Sequence, residues 1–259
     1  MPKFAANLTM MFNELPFRAR FAAARMAGFR AVEFLFPYGH DAGLLLTEME
    51  THGLKVVLFN LPPGDWEAGE RGIAALPGRE ADFERSVTAA IEYAKTLDCK
   101  QLHAMAGILP PTVDPDLAMS TYINNLAHAA SELKPHGITL LIEPINTRDM
   151  PGYFLSRTEE ARRVIEGIGA DNLKLQFDIY HRQMMQGNII HGISGNLDII
   201  AHMQIANPPQ RLDPSAGEIN YDYVFQMIDG MGYQGWVGCE YKPLTTTKES
   251  LDWFEPYKR

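Results

Sequence analysis

Short runs of strand-forming residues alternate with longer segments of helical periodicity along the whole chain. The spacing predicts eight strands and eight helices, with about 32 residues for each strand and its helix, which is the size of a βα unit. The strand runs show no polar alternation, as expected of strands covered on both faces, and this favours a parallel sheet. The predicted strands cover residues 4–8, 31–36, 55–60, 101–105, 140–143, 173–178, 200–205 and 236–240.

This alternation predicts an α/β protein, a single (β/α)8 TIM barrel that forms one domain over residues 1–259. An open doubly wound sheet has the same local pattern, but no Gly-x-Gly-x-x-Gly motif follows the first strand, and no nucleotide cofactor is expected. Candidate functional residues also end strands in both halves of the chain. The predicted helices cover residues 17–27, 41–51, 79–97, 115–133, 158–168, 188–197, 221–231 and 247–254.

A segment rich in Gly and Pro separates the third strand from the third helix. It covers about residues 61–78, and a connection longer than about 12 to 15 residues in a compact domain is usually functional or mobile. We therefore predict a lid-like loop over a site. The sequence Pro77-Gly78-Arg79 at its end is either a turn that starts the helix or a means of presenting Arg79.

Four of the predicted strands end in an oxygen donor: Glu143, Asp178, Gln204 and Glu240. They are separated by 35, 26 and 36 residues, about one βα unit each, and the carboxyl ends of barrel strands face one site. One carboxylate at a strand end is often only a loop cap, but uncompensated buried charges are costly, so the group favours a cation. Three carboxylates and an amide oxygen suit Mg²⁺ or Mn²⁺ better than zinc.

Nitrogen donors lie close to these strand ends in the sequence. His181 follows Asp178 by three residues, and His103 lies near the end of the fourth strand, so both are candidates for contact with the substrate. Arg211 and Lys242 could neutralise an anionic substrate, although each could equally be a solvated surface charge. The other histidines fall on helices, helix ends or a strand interior and are given no role: His40, His52, His128, His136, His191 and His202.

Net charge and composition exclude several classes of protein. A formal charge of −9 provides no positive field for nucleic acid or anionic lipid, so neither is expected as a partner. The N-terminus does not resemble a signal peptide, and no apolar run approaches a membrane span. The two cysteines, Cys99 and Cys239, are predicted to be buried thiols in a reducing compartment. We expect a cytoplasmic protein, and a homo-oligomer is left open.

The chain resembles the hydroxypyruvate isomerase family of the xylose isomerase-like barrels. The resemblance is carried by Ile142-Glu143-Pro144-Ile145-Asn146, by Asp178-Ile179-Tyr180-His181 and by Gly238-Cys239-Glu240-Tyr241-Lys242-Pro243. Further similar stretches are residues 4–8, 32–38, 60–66, 76–80 and 217–221, so the resemblance spans nearly the whole chain.

The resemblance implies interconversion of hydroxypyruvate and 2-hydroxy-3-oxopropanoate (tartronate semialdehyde), with a place in glyoxylate metabolism. The substrate would be a small anionic hydroxy-oxo acid. Glu143 and Glu240 would be the acid/base pair that moves a proton between C3 and C2 through an enediolate. Glu143, Asp178, Gln204 and Glu240 would hold the metal, although related isomerases and epimerases commonly have His in place of Gln204.

Alternative functions differ in substrate or in class. A 2-oxo-tetronate isomerase would keep the same carboxylates and differ in pocket length, and a ketose 3-epimerase-like enzyme is a further relative. A phosphodiesterase acting on abasic DNA would need more His ligands and a basic groove, which the net charge opposes. A sugar-acid binding protein without activity would not need two carboxylates facing a metal.

Overall fold

The eight strands close into one parallel barrel in chain order, β1 to β8, in a computed structural model that describes residues 1–258. Each strand pairs in parallel with the next, and β1 pairs with β8. The predicted (β/α)8 TIM barrel is therefore confirmed. The strands are β1 Lys3–Asn7, β2 Ala31–Glu33, β3 Lys55–Asn60, β4 Gln101–His103, β5 Thr139–Ile142, β6 Leu173–Asp178, β7 Ile200–Ile205 and β8 Trp236–Cys239.

Helices follow the strands and cover the outside of the barrel. Amphipathic helices such as α3 and α5 place their apolar residues against the sheet and their charged residues in solvent. The α-helices are α1 Ala19–Met26, α2 Ala42–His52, α3 Glu80–Leu97, α4 Pro115–Leu133, α5 Thr158–Ile168, α6 Ile179–Met185, α7 Ile189–Ser194 and α8 Tyr221–Gly230.

Two predicted helices differ from the structure. The α-helix predicted at 247–254 is wrong, because this segment forms two 3₁₀ helices, Lys248–Ser250 and Asp252–Tyr257. Pro256, inside the second of these, has no N–H to donate to the carbonyl of Asp252, so an α-helix cannot continue through that helix. The connection between β6 and β7 contains α6 as well as α7, and Gly187 and Asn188, both with positive φ, separate them.

The register of the strands brings polar residues together at their carboxyl ends. Asn7 is the partner of Glu33 across β1 and β2, and Asp178 is the partner of Gln204 across β6 and β7. Gln204 is in turn level with Gly238 of β8. Strand β2 ends at Glu33, earlier than predicted, after a register shift against β3. This end of the barrel is consequently polar, while its wall and outer layer are apolar.

Residues 61–78 pack along the loop that follows β4. The amide of Leu61 donates to the carbonyl of His103, and that of Ala75 donates to the carbonyl of Ala106. Gly72 pairs with Ala106 in an isolated antiparallel bridge. Ile73, Ala74 and Ala75 are buried, so the second half of the segment packs into the body of the protein, and the lid remains a prediction for the first half.

Within residues 1–258, no helix combines the length and apolar character needed to cross a lipid bilayer.

Cys99 and Cys239 are both free and buried, as predicted. Burial raises the pKa of Cys99 to about 12, which keeps this thiol protonated and unreactive.

Candidate active site

Glu143, Asp178, His181 and Glu240 form a buried cluster at the carboxyl ends of the strands. One ligand atom from each of these residues lies within 4.8 Å of the others. Their exposed fractions are 4%, 3%, 3% and 6%, respectively, so the cluster is almost completely shielded from solvent. Three of the four strand-end oxygen donors singled out in the sequence thus meet, together with the histidine that follows Asp178.

Local structure fixes the direction of these side chains. Glu143 directly follows β5 and precedes Pro144, which has no N–H to continue the ladder. Asp178 ends β6 and is also the N-cap of α6, where Oδ1 accepts a hydrogen bond of 2.7 Å from the amide of Tyr180. Its Oδ2 has no hydrogen-bond partner among residues 1–258, and neither has Oε1 of Glu143. These two oxygens therefore remain free for a ligand.

Arg211 is the cation of this cluster. Its Nη2 pairs closely with Oε2 of Glu240 and lies 3.7 Å from Oδ2 of Asp178, and the guanidinium lies 5.1 Å from the centre of the Tyr180 ring. The side chain is only 13% exposed, so Arg211 is not a surface charge. Its backbone has a φ of 61°, in the left-handed region that non-glycine residues rarely adopt, and this turns the residue from its loop into the barrel mouth.

The cluster holds more negative than positive charge. Burial and the nearby Glu240 and Asp178 raise the pKa of Glu143 well above its usual range. Burial likewise raises the pKa of Asp178 to about 6 and that of Glu240 to about 8, although Arg211 opposes both shifts. Burial disfavours the charge of Arg211, but Glu240 and Asp178 outweigh it and raise its pKa. One guanidinium does not balance three carboxylates, so protons or a further cation must do so.

Both histidines predicted near the site lie beside Glu143. Nδ1 of His103 is 3.6 Å from Oε2 of Glu143, and Nε2 of His181 is 3.8 Å from its Oε1 and 3.5 Å from Oδ2 of Asp178. Burial lowers the pKa of His103 to about 3 and that of His181 well below 6.5, so both rings are neutral. Asn146 approaches Nδ1 of His181 through its amide nitrogen, at 2.7 Å.

Gln204 lies at the level of Asp178 but takes part in a second group of polar side chains. Its Nε2 donates to Oε1 of Glu33 at 2.8 Å, and its Oε1 accepts from Nε2 of Gln176 at 2.6 Å. Oε2 of Glu33 lies 2.7 Å from Nε2 of His202. Nδ2 of Asn7 donates to Glu33 at 3.0 Å and to Oε1 of Glu240 at 3.3 Å, which connects this group to the cluster.

A divalent cation fits the donors of the cluster. Buried oxygens of Glu143 and Asp178 lack hydrogen-bond partners within residues 1–258, and the site carries excess negative charge. Carboxylates are the preferred ligands of hard cations, and one neutral histidine is compatible with them. The oxygen of Gln204 has a second lone pair besides the one that Gln176 uses.

Lys242 differs from the other predicted site residues. Its side chain is exposed, and only its backbone amide reaches the site loop, donating to the carbonyl of Arg211 at 2.8 Å.

Four polar residues of the site were not recognised in the sequence: Glu33, His202, Gln176 and Asn7. The spacing of polar residues could have indicated two of them. Gln176 lies two residues before Asp178 on β6, and His202 lies two residues before Gln204 on β7, so each pair shares the inward face of its strand.

Comparison with known proteins gives a consistent result. A family model for xylose isomerase-like TIM barrels matches residues 21–257. The chain is 51% identical to a 2-oxo-tetronate isomerase of Cupriavidus necator H16, over 99% of each chain, and 47% identical to the hydroxypyruvate isomerase of Escherichia coli K12, over 100% of each. A crystal structure of an AP endonuclease, family 2, from Brucella melitensis superimposes with a TM-score of 0.98 at 49% identity, over 100% of both chains.

Proposed function

The chain belongs to the xylose isomerase-like TIM barrel family and is an isomerase, and we propose that it interconverts hydroxypyruvate and 2-hydroxy-3-oxopropanoate. The observation that carries this proposal is the buried cluster, in which Glu143 and Glu240 face each other in a space closed to water. A reaction that moves one proton between adjacent carbons needs a general base and a general acid, because the carbon acid is weak and the intermediate is an anion, and such a pair can supply both.

The two carboxyl groups differ in their surroundings, and this suits them to different roles. Arg211 contacts Glu240 and favours its ionised form, so we assign Glu240 as the base that removes a proton from C3 of hydroxypyruvate. The C3–H electrons form the C2–C3 double bond as the π electrons of the C2 carbonyl move onto O2, which gives an enediolate. The hydroxyl proton passes from O3 to O2, so that the C3 carbonyl forms as C2 takes up a proton. Glu143, whose pKa is raised further by burial and by its acidic neighbours, carries the proton that returns to C2.

The proposed site also accounts for the polar groups around the two carboxylates. His103 and His181 are neutral and lie against Glu143, where an N–H can donate to the substrate oxygens as charge develops on them. Glu143, Asp178, Gln204 and Glu240 would hold Mg²⁺ or Mn²⁺, while His181 keeps its proton on the nitrogen that faces the cluster. Such a cation stabilises negative charge on neighbouring substrate oxygens.

The substrate carboxylate requires a positively charged partner, and Arg211 is the guanidinium in contact with the cluster. Planar bidentate pairing makes Arg well suited to a carboxylate. Because Arg211 already pairs with Glu240 and Asp178, substrate binding would share its donors between these groups. Lys242, exposed on the adjoining loop, is the second candidate for this contact.

The second candidate function is isomerisation of 2-oxo-tetronate, and the observation that favours it is the 51% identity to the Cupriavidus enzyme of that name. The same proton transfer between C3 and C2 would serve a four-carbon acid. The two functions therefore differ only in how much room the pocket leaves beyond C3. A ketose 3-epimerase-like activity would need still more room and a substrate without the carboxylate.

An endonuclease activity is suggested by the name of the Brucella structure, but the chain's chemistry opposes it. The cluster contains three carboxylates and one histidine, and the net charge of −9 repels a phosphate backbone.

The two free buried thiols agree with the proposal that this enzyme works in the reducing cytoplasm.

The test incubates the purified protein separately with hydroxypyruvate, with 2-oxo-tetronate and with a ketose, and follows each product by NMR. Each incubation is repeated after chelation and after addition of Mg²⁺ or Mn²⁺. Glu48→Gln serves as a control that should turn over like the wild type, because Glu48 lies on α2 and pairs with Arg18, the residue before α1. Equal inactivity of the wild-type protein on both acids would reject the proposal, and faster turnover of the four-carbon acid would select the second candidate.

A further inference from the structure

We propose that Glu33 is a positioning residue that fixes the orientation of the Gln204 amide, so that its oxygen is presented to the metal. The inference rests on the metal site proposed above. Glu33 is 1% exposed at the end of β2 and is surrounded by N–H donors from three side chains. Its oxygens lie near Nδ2 of Asn7, Nε2 of Gln204 and Nε2 of His202.

An amide side chain binds a hard cation only through its oxygen, so its orientation decides whether Gln204 can be a ligand. Glu33 accepts the hydrogen bond from Nε2 and thereby occupies the nitrogen side of the amide. The reverse orientation would place Oε1 of Gln204 against the Glu33 carboxylate and Nε2 against the amide nitrogen of Gln176. The contact with Glu33 would be repulsive, whereas Gln176 could turn its own amide, because its Oε1 has no other partner within residues 1–258; Glu33 therefore selects the orientation.

Glu33 can reach Gln204 because strand β8 carries no side chain at Gly238, which leaves room for the Glu33 carboxylate. The two residues belong to β2 and β7, and β8 lies beside β7 at Gly238, which is level with Gln204. A Cβ atom at Gly238 would lie 2.2 Å from Oε2 of Glu33 and 2.4 Å from its Cδ. Any side chain at position 238 would therefore displace the Glu33 carboxylate. The absence of a side chain in β8 at this level is what allows the contact across the barrel.

Asn7 extends the same arrangement to the catalytic pair. Its Nδ2 donates to both Glu33 and Glu240, while its Oδ1 accepts from the amides of Thr9 and Met10. The side chain is thus held at both ends. Glu33 consequently supports two of the proposed metal ligands, Gln204 and Glu240, without touching the substrate. Partners of metal ligands commonly change metal affinity by about 10- to 100-fold when they are altered.

The test measures Mn²⁺ binding to the metal-free full-length protein by electron paramagnetic resonance, without substrate. Glu33→Gln and Glu33→Asp are compared with wild type, and Gly238→Ala tests the same contact from another strand without a change in charge. Gly167→Ala is the matched control, because a Cβ at that position meets nothing within 4 Å. Circular dichroism establishes which variants are folded.

We expect every folded variant of Glu33 and Gly238 to bind Mn²⁺ about 10- to 100-fold more weakly than wild type. Gly167→Ala should bind normally. Wild-type affinity in a folded Glu33→Gln or Gly238→Ala protein would overturn the inference, as would the absence of Mn²⁺ binding by the wild type. The outcome is separate from the proposed reaction, because turnover of hydroxypyruvate is measured independently of metal binding.

Discussion

Asn146 donates a hydrogen bond from Nδ2 to Nδ1 of His181, at 2.7 Å. The amide nitrogen can be identified because Oδ1 of Asn146 accepts the backbone amides of Arg148 and Asp149. Nδ1 of His181 must therefore be the acceptor, which places the ring proton on Nε2. That proton faces Glu143 and Asp178, where it can be donated to a carboxylate or to the substrate.

The first prediction follows from this tautomer. Asn146→Asp should move the ring proton to Nδ1, because a carboxylate can only accept, and should leave Nε2 bare. We expect kcat/KM to fall by about 10- to 100-fold, as for other partners that orient site histidines. Imidazole ¹⁵N shifts of His181 measure the tautomer directly. Asn220→Asp is the control, because Asp also caps α8. An unchanged tautomer with normal activity would contradict the assignment.

The second prediction concerns the proton carried by the two glutamates. Glu143→Gln and Glu240→Gln should each lower kcat by roughly 100- to 10,000-fold, because each removes a general acid or base. If Glu240 is the base, Glu240→Gln should also abolish exchange of the C3 hydrogen with D₂O, whereas Glu143→Gln should allow exchange without product. The two rates are read by NMR. Full turnover by both variants would rule out the pair.

The third prediction is that the metal-free protein loses stability between pH 6.5 and 8. Glu240 has a pKa near 8 when folded and near 4.5 when unfolded, so the folded state binds more protons and is favoured at low pH. This contribution disappears as pH rises through 8. His103 and His181 act in the opposite direction, but only below 6.5, where the unfolded rings begin to bind protons. The midpoint of thermal unfolding after chelation measures the loss.

Mn²⁺ should reverse this trend, because it binds the ionised carboxylates and its stabilising effect grows as they lose protons. The difference between the midpoints with and without Mn²⁺ should therefore widen from pH 6.5 to 8. Glu240→Gln should flatten the curve of the metal-free protein. A midpoint that rises with pH in the chelated wild type would contradict the burial of uncompensated carboxylates.

The fourth prediction concerns residues 61–78, the predicted lid. Amides of residues 65–71, whose hydrogen bonds stay within that stretch, should exchange faster with deuterium and become protected when substrate binds. Those of Ala74 and Ala75, which donate to the carbonyls of Met105 and Ala106, should be protected throughout. Gly72 joins the halves with a φ of 103°, and a Cβ there would lie 2.3 Å from the Met105 carbonyl. Gly72→Ala should therefore loosen residues 73–75. Uniform protection of the whole segment without substrate would contradict a lid.

The sequence predicts the barrel well because each strand is marked by its own residues. β3, β6 and β7 occur with the predicted bounds, and Glu143, Asp178 and Glu240 meet because strand ends share one edge of a parallel barrel. Whether Lys242 contacts substrate and whether Gln204 binds a metal remain predictions. The 3₁₀ geometry after residue 247 was missed because periodicity does not distinguish it from a short α-helix.

The polar group around Glu33 could not be predicted in the same way. Phe34, Leu35 and Phe36 continue the apolar run, so Glu33 seemed to lie inside a strand and not at its end. His202 was set aside for the same reason. Contact between β2 and β7 depends on the stagger of the whole barrel and on a missing side chain in β8, neither of which is local to any segment.

The close fit of Glu33 against Gly238 restricts the order in which this sequence can change over time. A larger residue at position 238 is acceptable only after position 33 has become smaller, whereas a smaller residue at 33 needs no earlier change. Substitution at position 33 must therefore precede substitution at position 238. Homologues should show a side chain at 238 only where the glutamate at 33 has already been lost, although the two positions lie at opposite ends of the chain.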